Sequence, residues 1–408
     1  MFMKQNTDIA IAKEFEMSRF LIMLMSIACG VSAANLYYSQ PLLEAFSRFF
    51  NVSSSMIGIA AVLIQIGYAL GLVFIVPLGD IKERRGLIMT MLCCSAIALL
   101  SLSIASNIWW LLVSSLLVGL TSITPMLIVP LVAHLAKPVE RGQVIGKVMS
   151  GLLIGILLSR VFSGIIGSTL GWQAVYRIAA VMMVLLILIF NLWVPKSIPD
   201  TVMSYGKLLK SLVELLQNQP LLKEASLIGA MMFATFSAFW TTLSFLLKSP
   251  VYNLGAQAAG LFGLVGVVGA LAASIVGRVS DKRSPRFTLS IAIILSAVSY
   301  ICFLIFGYQM WGLISGVILL DLGIQSGQIS NQARINTLDP TARSRNNAVY
   351  MTFYFCGGAL GSLLGTFFWG LFGWTGVCVV GIIFQIIAAT THIFGIRDVQ
   401  RNKSQSKK

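Results

Sequence analysis

The chain has 408 residues, 57% hydrophobic and 11% charged, with a mean hydropathy of +0.88. Soluble domains carry roughly 25% charged residues, so composition excludes one and makes this a protein of the membrane. The net charge of +15 would suit nucleic acid, but the positions of the basic residues give it another cause.

In chain order, residues 1–17 are polar and mixed in charge, with no small-residue cleavage site. No cleavable signal peptide is expected, and the first apolar run should stay in the protein. A spanning helix needs about 20 mostly apolar residues. Twelve such runs follow, at roughly 19–45, 56–80, 87–105, 109–133, 143–168, 173–195, 224–247, 257–279, 286–306, 311–333, 346–369 and 374–396. Alternating ten-residue strands are absent, so the runs are read as helices, which alone satisfy their own backbone in lipid.

The charges cluster in alternate breaks between these runs. With the N-terminus inside, the inside segments hold 25 of the 29 Lys and Arg; Arg48, Arg177 and Lys248 fall outside and Arg160 inside a helix. That asymmetry predicts cytoplasmic termini and explains the net charge with no nucleic-acid partner. The break Leu78–Gly86 contains Asp80, Arg84 and Arg85, and a similar one contains Asp281, Lys282 and Arg283. The two aspartates are 201 apart (281 − 80); Arg141 and Arg343, and Gly171-Trp172 and Gly373-Trp374, are 202 apart (343 − 141 and 373 − 171). Such an offset predicts one half written twice in the same direction. The expected fold is all-α: a polytopic membrane protein of 12 transmembrane helices in two parallel six-helix halves. The expected division is 1–195, a linker 196–222 and 223–408. Within the linker, Leu208, Leu212, Leu215 and Leu216 share one helical face, which predicts a helix lying on the membrane surface.

This pattern resembles the major facilitator superfamily over nearly the whole chain. Ala34–Leu43, Ser237–Leu243, Leu319–Gln325, Ile329–Arg334 and Asp339–Arg345 look like its bacterial arabinose-efflux-permease-like branch. The resemblance implies a central cavity lined by the first, fourth, seventh and tenth helices. It also implies seams between the fifth and eighth and between the second and eleventh. The charged breaks would then form gating pairs across the cytoplasmic face, so Asp80, Arg84, Arg85, Asp281, Lys282 and Arg283 are candidate gate residues. The break departs from the family pattern at Val76 and Glu83, where glycines are expected. Asp80 near the start of the eleventh helix would be favoured by about 0.3–1 kcal/mol. Positive-inside topology alone would also place these charges. Drug antiporters of the superfamily carry an arginine four residues before a glycine in the fourth helix, where this chain has Ser115 and Gly119. They also carry a Gly-Pro pair in the fifth, which has no proline here. Both departures weigh against simple multidrug antiport.

Two charges lie deep in spans: Arg160 in the fifth and Asp321 in the tenth. A charge at the helix centre costs about 2.5–3.5 kcal/mol on insertion scales, so each should face a cavity and have a partner. Asp321 is the candidate proton-coupling acid with Arg160 as partner, because a substrate that separates or joins them would exchange a proton for a ligand. A structural ion pair, or direct binding of an anion by Arg160, is the alternative. Asp321, Gln325, Gln328 and Gln332 share a helical face. Candidate substrate contacts are Asn35, Tyr38, Gln65, Ser237, Trp240, Thr241, Gln325, Gln328 and Tyr354. Small-residue rows at Gly151, Gly155, Ser159, Ser163 and Gly167, at Gly266, Ala270 and Ser274, and at Gly357, Gly361 and Gly365 predict close helix approach, read as rocking surfaces between the halves, with plain tight packing as the alternative.

The six cysteines fall in apolar runs and lack metal-ligand spacing with His134 or His392, so no metal site and no catalytic group is expected. No G-x-x-x-x-G-K-[ST] motif is present, which argues against an ATP-driven pump. The reading is not an enzyme but a monomeric secondary transporter of the bacterial inner membrane. Its partners would be a small organic substrate and the bilayer. It would need no cofactor, with a proton gradient as energy source and efflux by antiport as the expected direction. Uptake by symport, or a non-transporting receptor or lipid translocase of the same fold, stays open.

Overall fold

A computed structural model describes residues 18–137, 139–198, 204–282, 284–339 and 342–405, with side chains described except at 270–282 and 396–405. Among the described residues there is no strand, and nine helices are long and apolar enough to cross a membrane. One of these, Arg343–Gly395, is two spans joined at Gly373, whose φ of 58° breaks the helix. Arg19–Ala34 and Ala256–Gly269 are further apolar helices, giving twelve spans among the described residues.

The elements in chain order begin with α1 (Arg19–Ala34), α2 (Leu43–Phe50), α3 (Ser54–Phe74), α4 (Arg84–Ser103), α5 (Ile108–Thr121) and α6 (Thr124–Leu135). There follow α7 (Arg141–Thr169), α8 (Trp172–Trp193), α9 (Tyr205–Asn218), α10 (Pro220–Lys248) and α11 (Ala256–Lys282). The chain closes with α12 (Pro285–Phe306), α13 (Met310–Ile335) and α14 (Arg343–Gln405). Two of the twelve spans are broken. The first is α1, a turn, a 3₁₀ segment Gln40–Leu42 and α2; the fourth is α5 and α6, joined before Pro125. Short polar residues start the helices: Ser18, Ser53, Asn107 and Ser284 each accept a hydrogen bond from the backbone three residues on, which satisfies an otherwise orphan N–H.

The two halves repeat one packing scheme. In the first, α1 packs on α7, α3 on α5 and α4 on α8; in the second, α10 packs on the first span of α14, α11 on α13 and α12 on the second span of α14. The four described residues with φ between +20° and +160° also repeat. Asn51 (φ 52°) pairs with Asn253 (φ 48°) and Gly171 (φ 84°) with Gly373 (φ 58°), each 202 apart (253 − 51 and 373 − 171). The halves meet where α3 packs on α14 and α7 on α11.

The small-residue rows serve mainly other contacts than those expected. Gly151 and Gly155 pack on Ser26 and Gly30 of α1, and Gly357, Gly361 and Gly365 on Ala230, Ala234 and Ala238 of α10. Both rows therefore hold one half together rather than forming a surface between halves. At the α7–α11 seam the close approach is Gly164 to Gly260, whose added Cβ would lie 2.9 Å from the Gly164 Cα. The linker forms the expected helix, α9. Leu208 and Leu212 of α9 turn inward, lining a small cavity with Val76, Pro77, Asp80, Ser344, Arg345 and Ala348. The Tyr205 hydroxyl donates to the Phe74 carbonyl at 2.7 Å. Part of the apolar face of α9 thus packs on the protein.

Candidate functional site

Arg160 sits in mid-α7 with 1% exposure. The break in the first span brings two residues to it. After α1 ends at Ala34, local turns carry the chain to Gln40, and Arg160 Nε donates to Gln40 Oε1 at 2.8 Å. The guanidinium lies over three rings: Trp240 at 4.1 Å, Tyr37 at 5.0 Å and Phe236 at 5.4 Å. Such contacts are worth about 2 kcal/mol or more when desolvated, which offsets part of the cost of the buried cation.

Asp321, in α13, is also 1% exposed. A glycine face of α11 separates it from Arg160. A Cβ on Gly263 would meet the Arg160 side chain at 3.1 Å, and one on Gly266 the Asp321 carboxylate at 3.2 Å. Residues three apart on a helix have Cβ positions about 5–6 Å apart. The two charges therefore flank one turn of α11. They interact electrostatically but make no contact ion pair within 4.0 Å. Arg160 Nη2, Asp321 Oδ2 and the indole Nε1 of Trp240 are buried with no hydrogen-bond partner in the protein.

Around this pair, Gln65 of α3 crosses the seam. Its Nε2 donates to Ser362 at 2.8 Å, and its Oε1 accepts from Ser237 at 3.4 Å. Tyr354 donates to Gln328 at 3.2 Å and stacks on Phe233 at 4.0 Å. The rings of Phe233, Phe236 and Trp240 then continue along α10 to Arg160. Gln325 and Gln328 are half-buried. Three further expected contacts have partners of their own. Asn35 donates to Ser95 at 3.3 Å, inside the first half, and Tyr38 packs against Phe162 and Tyr176. Thr241 donates to the Ser237 carbonyl of its own helix. Tyr37, Gln40 and Phe236 stand at Arg160, and none of them was among the expected substrate contacts. The Gln-Pro step at 40–41 was the available signal.

At the end of the molecule carrying the basic breaks, Asp80 faces the start of α14, with Ser344 and Arg345 beside it. The two arginines do not reach across to that half. Arg84 Nε donates to the Gly79 carbonyl at 3.1 Å. Arg85 donates to the Val194 and Asn191 carbonyls at 2.9 and 2.7 Å, closing off the end of α8. Glu83, where a glycine was expected, caps α4: it accepts from the backbone of Arg85 at 2.8 Å, Gly86 at 2.7 Å and Ser197 at 3.1 Å. Burial of Glu83 pushes its carboxyl up, but those three hydrogen bonds with the Arg85 charge outweigh it and hold it below its ordinary value. In the second break, the side chains of Asp281 and Lys282, and the whole of Arg283, lie outside the described residues.

The same end of the second half holds a charge cluster that the sequence did not expose. Glu224 of α10 lies 2.7 Å from Arg334 of α13 and 3.1 Å from Arg286 of α12. His392 of α14 lies 4.0 Å from it, and its Nε2 is 2.9 Å from the Ser290 hydroxyl. His392 therefore belongs to this cluster. No group of three or more His, Cys, Asp and Glu suited to a metal occurs among the described residues.

Three comparisons bear on this architecture. The chain is 39% identical over 372 residues to YgaY of Escherichia coli, an uncharacterised transporter, covering 91% of this chain and 94% of that one. It is 26% identical over 314 residues, 76% of each chain, to a Pasteurella multocida protein named "Probable sugar efflux transporter". A bacterial homologue of the human lysosomal transporter Spinster, in an inward-facing and occupied conformation, shares the fold with a TM-score of 0.75 at 15% identity. The match covers 93% of this chain and 96% of that one. The family model of the Major Facilitator Superfamily matches residues 21–339, and with twelve spans in two repeated halves the chain belongs to that superfamily of membrane transporters.

Proposed function

We propose that this chain is a proton-coupled exporter of a small organic molecule, working as a monomer in the bacterial inner membrane. The observation that carries the reading is the arrangement of Arg160 and Asp321. One charge from each half lies buried between the halves, near enough to interact but held apart. A carboxylate so placed is a proton carrier that faces alternate sides as the halves rock about a site near mid-bilayer. The positive-inside distribution of the basic breaks supports cytoplasmic chain ends. Asp80 against Arg345 then serves as a gate at the cytoplasmic face. Export rather than uptake is favoured by the sugar efflux name of the Pasteurella relative.

The test uses everted membrane vesicles acidified inside by respiration. Pentoses, hexoses and L-amino acids are added while a pH-sensitive dye follows the lumen. An antiporter lets protons out when its substrate is offered, so wild-type vesicles should lose the gradient with at least one compound and Asp321→Asn vesicles with none. Full proton release by Asp321→Asn would refute coupling through this carboxylate. Accumulation of the compound by intact energised cells would favour uptake.

A further inference from the structure

A buried cation and a buried anion within electrostatic reach ordinarily close into a contact pair, because each unpaired charge in low dielectric is costly. Here neighbours hold both groups. Arg160 is fixed by Gln40 through Nε and laid against the Trp240 ring at 4.1 Å. The Asp321 carboxylate is seated on Gly266, leaving no room for a side chain there. The result is a pair of opposite charges, each with an unpartnered atom: Arg160 Nη2 and Asp321 Oδ2. Trp240 Nε1 adds an unpartnered donor beside the cation. Around them runs an aromatic wall of Tyr37, Phe236 and Phe233.

We propose that this centre recognises a zwitterion: an α-amino acid, or a close derivative, with an apolar or aromatic side chain. Its carboxylate accepts from Arg160 Nη2 and Trp240 Nε1, its ammonium donates to Asp321 Oδ2, and its side chain lies on the aromatic wall. The ligand's two charges complement the two protein charges, so every buried charge is paired and the net charge of the site does not change. A neutral sugar supplies hydroxyls but leaves both protein charges without a counter-ion. The inference rests on the centre being the substrate site and deepens that reading by naming what fits it.

The experiment measures binding to purified full-length protein in detergent with no pH gradient, so it is independent of coupling. The probes are L-phenylalanine and L-leucine, their methyl esters, which lack the carboxylate, their N-acetyl forms, which lack the ammonium, and L-arabinose. The free amino acids should bind, and loss of either charged end should weaken binding by about tenfold or more, the usual worth of a hydrogen bond to a charged group. Arg160→Gln should erase the preference for acid over ester while keeping that for amine over N-acetyl. Asp321→Asn should do the reverse. That crossed pattern would not arise if the two residues only held the fold. Should a variant be too unstable to purify, the wild-type comparison of acid, ester and N-acetyl form decides the matter alone. The proposal is overturned if ester or N-acetyl form binds as tightly as the free amino acid, if arabinose binds more tightly, or if neither amino acid binds up to its solubility limit. Amino-acid binding without proton release in vesicles would sink the coupling and leave the substrate class standing. Proton release driven by arabinose, with no amino-acid binding, would do the opposite.

Discussion

The Glu224 cluster offers a sharp test of what holds the second half together. Glu224 keeps 11% side-chain exposure, Arg334 5% and Arg286 24%, so one carboxylate bridges two largely buried guanidinium groups drawn from α12 and α13. Glu224→Gln preserves the volume and removes only the charge. Arg334 then has no counter-ion at 2.7 Å and too little exposure to recover hydration. Breaking a buried pair by removing one partner costs about 3–5 kcal/mol. The lower end applies here, because Arg286 can turn toward water. A loss of about 3 kcal/mol should lower the melting temperature of the detergent-solubilised protein by roughly 5 °C or more. The exposed pair Glu44–Arg48, with Arg48 68% exposed, supplies the control: Glu44→Gln should cost less than about 1 kcal/mol. Adding Arg334→Met to Glu224→Gln should recover part of the loss, since the stranded charge is what destabilises. A Glu224→Gln protein that melts with the wild type would refute this reasoning, as would a double variant less stable than the single.

Glu83 should give the fold an acid-sensitive component. Its carboxyl is held below the ordinary value in the folded chain, so the unfolded chain takes up the proton first. Its contribution is fully present above the ordinary glutamate range of about 4.3 and is lost as pH falls through the folded value; melting of wild type and Glu83→Gln across that range should converge toward acid. At the α7–α11 seam, Gly260→Ala would set a Cβ 2.5 Å from the Arg160 carbonyl and 2.9 Å from the Gly164 Cα. Both are backbone and cannot rotate away, so a cost of about 1–3 kcal/mol is expected. Gly255→Ala, with nothing within 4 Å, should melt as wild type does, and equal melting of the two variants would discount the close seam.

Much of the architecture was legible because the bilayer acts on the chain by length and polarity, and those are read one residue at a time. Arg160 and Asp321 stood out for the same reason, as lone charges in long apolar runs. Direction of approach was not legible. Helical spacing continued along the first run selects Asn35 and Tyr38, but the helix ends at Ala34, and the turn that follows aims Tyr37 and Gln40 at Arg160 instead. The small-residue rows announced close contact without naming the neighbour. Two of the three acceptors of Arg85 are backbone carbonyls, which carry no sequence signature. The repeat shows where scaffold ends and chemistry begins. Position 202 beyond Arg160 is Ser362, and position 202 before Asp321 is Gly119. Ser362 accepts the Gln65 amide across the seam, and Gly119 lets α5 lie against Ile64 of α3. Each half therefore keeps one charge where the other keeps a small packing residue. Two copies of a symmetric scaffold carrying the same charge would set like charges around one small space and repel. Charging inequivalent positions with opposite signs lets a duplicated frame enclose a centre with a positive and a negative side, and so orient an asymmetric ligand.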